Sequence, residues 1–181
     1  MRNLKQIMLF VMMGSLLTIT SCSKSDDGGG GGDAASGTLK ANVGGASFQS
    51  MEISSKATLA TAGGIDNLVI IASNSDGNAF AITISGYSGV GTYDITGASL
   101  GGVTASYTET NVNLSNPTAS TTEIWQAPYD DTKVGSISVS EETDSAVKGT
   151  FTFKCKNVGG DNSIKNITDG SFNLSKQTIY S

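Results

Sequence analysis

The chain has 181 residues, with 11 Lys and Arg against 16 Asp and Glu, a net charge of −5, and no histidine. An acidic chain without a basic stripe has no electrostatic reason to hold nucleic acid. Without histidine it lacks the commonest general base, the Ser-His-Asp arrangement and most zinc sites, so we read a protein that is not an enzyme and takes no cofactor or metal.

Arg2 and Lys5 precede "IMLFVMMGSLLTI", an uncharged run from Ile7 to Ile19. A bilayer-spanning helix takes ~20 residues, so this shorter run suits the apolar core of a signal peptide. It ends Ile19-Thr20-Ser21-Cys22, which resembles the lipobox of bacterial lipoproteins: an aliphatic residue, two small ones, then cysteine. A thiolate can accept a diacylglyceryl group, and cleavage between Ser21 and Cys22 frees an amine for further acylation. Two or more chains make a stable anchor. Residues 1–21 are therefore expected to be a lipoprotein signal peptide; an ordinary cysteine after a secretory signal is the alternative. Residues 22–37 carry the lipidated cysteine and "SKSDDGGGGGDAASG", which has no large apolar side chain. A Gly-rich coil of this length places the domain a mean ~20 Å from its anchor. Lys24, Asp26 and Asp27 resemble the short acidic export signal of surface-exposed lipoproteins in Bacteroidota. The expected location is the outer membrane, held by lipid on Cys22 and facing the cell surface, with the periplasmic leaflet as the alternative.

Residues 38–181 are expected to form one domain. No window carries apolar residues at helical spacing over three turns; alternation with a period of two recurs instead. "TLKANV" and "ASFQSM" flank Gly44-Gly45, a hairpin signal. "KATLAT" follows, then the turn "AGGID". "NLVIIAS" is dense enough to predict a strand covered on both faces. "NSDGN" breaks it, "AFAITISGY" alternates cleanly, and "GVGTYDI" is a short strand. Residues 96–122 are weaker: "TASYTE" can pair, and "NLSNPTAST" reads as an exposed loop. "TEIWQA" is stopped by Pro128. "KVGSISVSEE" has an uncertain phase, which a bulge at Gly135 would explain. "AVKGTFTFKCKN" is the strongest strand, and "ITDGSFNLSKQ" ends the domain. About ten strands at these spacings predict an all-β fold, a single antiparallel β-sandwich or flattened β-barrel.

Several pieces resemble a family: "LKANVGGASFQS", "GVGTYDI", "SYTE", the single Trp125, "GSISVSEETDSAVKGTFTFKCKN" and "KNITDGSFNLSK". Together they are similar to a domain-of-unknown-function family of small Bacteroidota lipoproteins, over most of residues 38–176. The usual Val-Asp-Gly of the first hairpin is Val43-Gly44-Gly45 here. The resemblance implies an all-β domain on a lipid anchor and carries no catalytic residues.

The richest cluster is "WQAPYDD". Trp125, Tyr129, Asp130 and Asp131 could stack on a sugar and bond its hydroxyls, or meet another protein. The competing reading is a buried strand tryptophan followed by a solvated turn. Asp144-Ser145-Ala146 resembles an O-glycosylation site of exported Bacteroidota proteins, which makes Ser145 a candidate for modification. Cys155 shares a face with Phe151 and Phe153 and is read as a buried core thiol. The expected function is a non-catalytic binding or structural module that meets a glycan or an envelope protein. The alternative is a lipocalin-like carrier of a small ligand, which needs a barrel with an apolar lumen.

Overall fold

A computed structural model describes residues 33–98 and 101–180. Ser21, Cys22, Lys24, Asp26 and Asp27, which carry the expected anchor and export signal, lie outside the described residues.

Eleven strands form: β1 (Thr38–Val43), β2 (Ala46–Gln49), β3 (Ser55–Ala62), β4 (Ile65–Ser73), β5 (Ala79–Ser85), β6 (Gly91–Thr96), β7 (Val103–Asn111), β8 (Thr121–Ala127), β9 (Lys133–Glu142), β10 (Ala146–Lys156) and β11 (Ile164–Tyr180). They hydrogen-bond in the order β2-β1-β11-β3-β4-β5-β7-β8-β10-β9-β6, and β10 also pairs with β11. The extra pairing bends the sheet into two walls. The first is β6-β9-β10-β11-β1-β2; the second is β11-β3-β4-β5-β7-β8. β11 belongs to both. Its first part pairs with β1 and β10, and its last residues, Lys176 to Tyr180, pair with β3. Gln126 of β8 meets Lys156 of β10 and closes the ring. The fold is all-β, as expected, with one parallel pairing, β3 with β11.

The period-two pattern explains which side chains face inward. Phe80 of β5 is fully buried and lies 4.9 Å from the ring of Phe48, 5.6 Å from Phe151 and 6.3 Å from Phe153, joining the second wall to the first. Ile82, Ile84, Leu68 and Ile70 continue the second wall's inner face; Ile137, Ile167, Phe172 and Leu174 continue the first. Each such side chain contributes about 1.5–3 kcal/mol by leaving water.

One expectation needs correction, and two are sharpened. β4 is covered on one face only: Leu68, Ile70 and Ala72 are buried, while Ile71 is 50% exposed. Its apolar density comes from β-branched side chains on an outer face with no layer over it among the described residues. β9 carries two bulges, one immediately before Gly135 and one farther along the strand. Val134 is the extra residue opposite β6, and Ser140 the one opposite β10. "TASYTE" lies in a strand paired on both sides, β7 between β5 and β8. The stretch 112–120 that follows it is an exposed loop with one 3-10 turn, Pro117–Ala119.

Candidate functional site

Trp125 is where the structure departs most from a surface patch. Strand alternation in β8 turns Trp125 and Ala127 inward and Ile124 and Gln126 outward. The indole is 3% exposed and its Nε1 donates to Ser163 Oγ at 2.9 Å. Lys165 Nζ sits 4.2 Å from the ring centroid and 2.7 Å from Glu109 Oε2. Trp125 therefore plugs one end of the core and offers no ring to a ligand. This corrects its place in the predicted surface cluster.

Tyr129, Asp130 and Asp131 remain outside, on the loop that follows Pro128. The loop is braced from two directions. Thr132 donates its backbone N–H to Asp130 Oδ1 at 2.9 Å, and its hydroxyl donates to the same oxygen. These bonds hold the Asp130 carboxyl below the usual carboxylate range, with Lys156 adding a smaller pull. Gly97 N–H donates to the Asp130 carbonyl at 3.1 Å, and Thr96 Oγ1 donates to the Asp131 carbonyl at 2.8 Å. A Cβ on Gly97 would stand 2.5 Å from the Asp130 carbonyl oxygen, so only glycine permits that approach.

The braced loop walls an open groove of about 640 Å³ on the outer face of the second wall. Its floor is Ala81 and Thr83 from β5, Thr104 and Ser106 from β7, and Gln126 from β8. Register places them in rows: Ala81 opposite Ser106 and Ser106 opposite Gln126, with Thr83 opposite Thr104. Small side chains make the floor flat. Hydroxyls and an amide supply both donors and acceptors, and the two aspartates add acceptors at the rim. The half-buried Tyr129 gives the groove its aromatic wall. Such a surface can hold a polyhydroxylated ligand or a peptide backbone. Sequence reasoning found the loop and missed the floor. The floor residues are scattered over three strands, and only their outward phase on each strand hinted at a shared face.

Two other predicted residues are placed clear of the groove. Ser145 is exposed in the turn between β9 and β10, with its carbonyl accepting the Lys176 N–H at 2.8 Å. Cys155 is fully buried, its thiol donating to the Lys165 carbonyl at 3.6 Å, and burial pushes its pKa up to about 12. It is a core thiol. Among the described residues no three metal-ligating side chains come together.

The fold and groove define an all-β domain with a packed interior and a ligand-sized surface on an outer face. The chain belongs to the family DUF6252, a domain of unknown function, whose model matches residues 35–174. Comparison with curated proteins gives no match, and neither does comparison with solved structures.

Proposed function

We propose that this chain is an outer-membrane lipoprotein of the Bacteroidota type, anchored through lipid on Cys22 and facing the cell surface. Its β-domain is a non-catalytic binding module that takes an envelope glycan in the groove beside Tyr129. The observation that carries the binding reading is the braced 128–131 loop set over a flat floor of hydroxyl and amide groups. The anchor rests on the Ile19-Thr20-Ser21-Cys22 spacing and the Gly-rich tether. Phe80 stands against the lipocalin-like alternative: it touches Phe48, Tyr107, Phe151 and Phe153, filling the space that a carrier would leave open.

Three experiments test this. Labelling with an alkyne-palmitate analogue should mark the wild type and leave Cys22→Ser unmarked; label on Cys22→Ser removes the anchor. Protease treatment of intact cells should trim the protein, and full protection places it on the inner leaflet. For binding, glycan arrays should give hits that Tyr129→Ala and Asp131→Ala abolish without a change in thermal midpoint. If hits are absent, and cross-linking on intact cells instead captures a polypeptide through residues 128–131, the partner is a protein.

A further inference from the structure

We propose that the outer face of the first wall carries a second, separate site, a shallow groove that holds one ring of a neutral saccharide. It shares no residue with the groove beside Tyr129 and does not depend on it. The groove has a volume of about 230 Å³ and is lined by Ser136, Ser138, Thr150, Thr152, Asp169 and Ser171, with Asp33 at its rim.

Strand register builds the floor. Thr92, Ser138, Thr150 and Ser171 stand opposite one another on β6, β9, β10 and β11, a row of hydroxyls at about 4.8 Å spacing. Ser136 and Thr152 form a shorter row beside it. Lys40 of β1 ends the long row opposite Ser171. A bulge in β11 aims the acidic rim. Thr168 pairs with Asn42 and Ser171 with Lys40, so Asp169 and Gly170 together face Ala41. Asp169 takes a left-handed conformation there, φ 52°, which few L-residues other than Asn and Asp adopt. Bulges of this kind redirect a side chain out of the strand's regular phase.

Ser171 points to a ligand. It is 5% exposed, and its Oγ is the buried side-chain oxygen that, among the described residues, has no hydrogen-bond partner. Buried hydroxyls are almost always paired, because an unpaired one has lost its water without replacement. A ligand hydroxyl seated in the groove, with a small turn of the Ser171 side chain, supplies the missing bond. The mixture of groups selects the ligand class. The Ser136, Thr150 and Ser171 hydroxyls can both donate and accept, Thr152 gives its proton to the Ile167 carbonyl and keeps its lone pairs, Ser138 shares a proton with Thr92, and Asp33 and Asp169 accept. A cation would use the oxygens but leave the Thr150 and Ser171 protons nothing to donate to. An anion would be opposed by two carboxylates. A neutral sugar, whose hydroxyls do both, satisfies all of them.

The test uses the full-length chain in detergent micelles on an array of neutral mono- and oligosaccharides, with hits measured by calorimetry against the free sugar. We expect a set of sugars bound equally by the wild type and Tyr129→Ala. Ser171→Ala should weaken that set about tenfold, the scale of one or two lost hydrogen bonds. Its thermal midpoint should hold or rise, because the unpaired oxygen is gone. Thr150→Val, at an exposed position, should weaken the same sugars and serves if Ser171→Ala misfolds. The site is overturned if no neutral sugar binds, if both variants bind as the wild type does, or if Tyr129→Ala abolishes every hit.

Discussion

The two ends of the packed core are each closed by a lysine–glutamate pair beside aromatic rings, and they are closed to different depths. Lys176 and Glu142 lie 2.9 Å apart with side chains 9% and 19% exposed, and Tyr87 donates its hydroxyl to Glu142 Oε2 at 2.8 Å. Lys165 and Glu109 lie 2.7 Å apart with side chains 24% and 43% exposed, and Lys165 rests on Trp125. Lys165 and Lys176 lie at the two ends of the stretch of β11 that pairs with β10. At the deeper end the pair itself matters, because removing one partner strands a buried charge. At the shallower end water screens the pair, and the lysine stem and the indole beneath it do most of the closing.

The largest expected effect tests the shallower end. Trp125→Ala should cost about 3–5 kcal/mol in urea unfolding, the usual range for a buried large aromatic, whereas Trp125→Phe should stay folded. Trp125 is the single tryptophan, so its emission should be blue-shifted and shielded from acrylamide. Red-shifted, freely quenched emission would undo the end-plug assignment. Next comes Glu142→Gln, which should cost about 3 kcal/mol, the low end for breaking a buried pair, because Glu142 is partly solvated. Glu109→Gln should cost ~1 kcal/mol or less. Equal losses in these two variants would erase the difference between the ends.

A further effect appears in alkali. Burial pushes Tyr107 up to about 12 from an ordinary 10, and Cys155 up to about 12 from 9. Burial and Glu142 raise Tyr87 as well. The folded chain thus keeps protons that the unfolded chain releases. The stability from these groups is complete below about pH 9 and falls as pH rises from 9 to 12. Urea midpoints taken across that range should decline, with thiol reagent reaching Cys155 only on unfolding. A midpoint that climbs through the window would reverse the sign.

The period-two pattern made most strands legible. "AFAITIS" became β5 with Phe80, Ile82 and Ile84 inward, and "GTFTFKC" put Phe151, Phe153 and Cys155 on the core face. It misled at β4, where Val69 and Ile71 suggested a covering layer that the fold lacks. Density of β-branched residues reports strand propensity as well as burial. Of the candidate site, the 128–131 loop was legible because proline and paired aspartates punctuate the chain. The floor of either groove was not. Ser138, Thr150 and Ser171 lie on three separate strands, and only register sets them side by side.

Alone, the sequence determined that the chain from residue 38 onward is built of β-strands joined by turns, and largely which side chains turn toward the core. Both follow from local alternation, in which each residue's direction depends on its neighbours in the chain. Only the tertiary structure decided that β11 serves two walls, that Trp125 closes an end of the core, and that hydroxyls from four strands form one surface. Those outcomes depend on which strands pair and in what register. That choice is made by contacts between residues far apart in sequence, and a one-residue slip would send every one of those side chains to the opposite face.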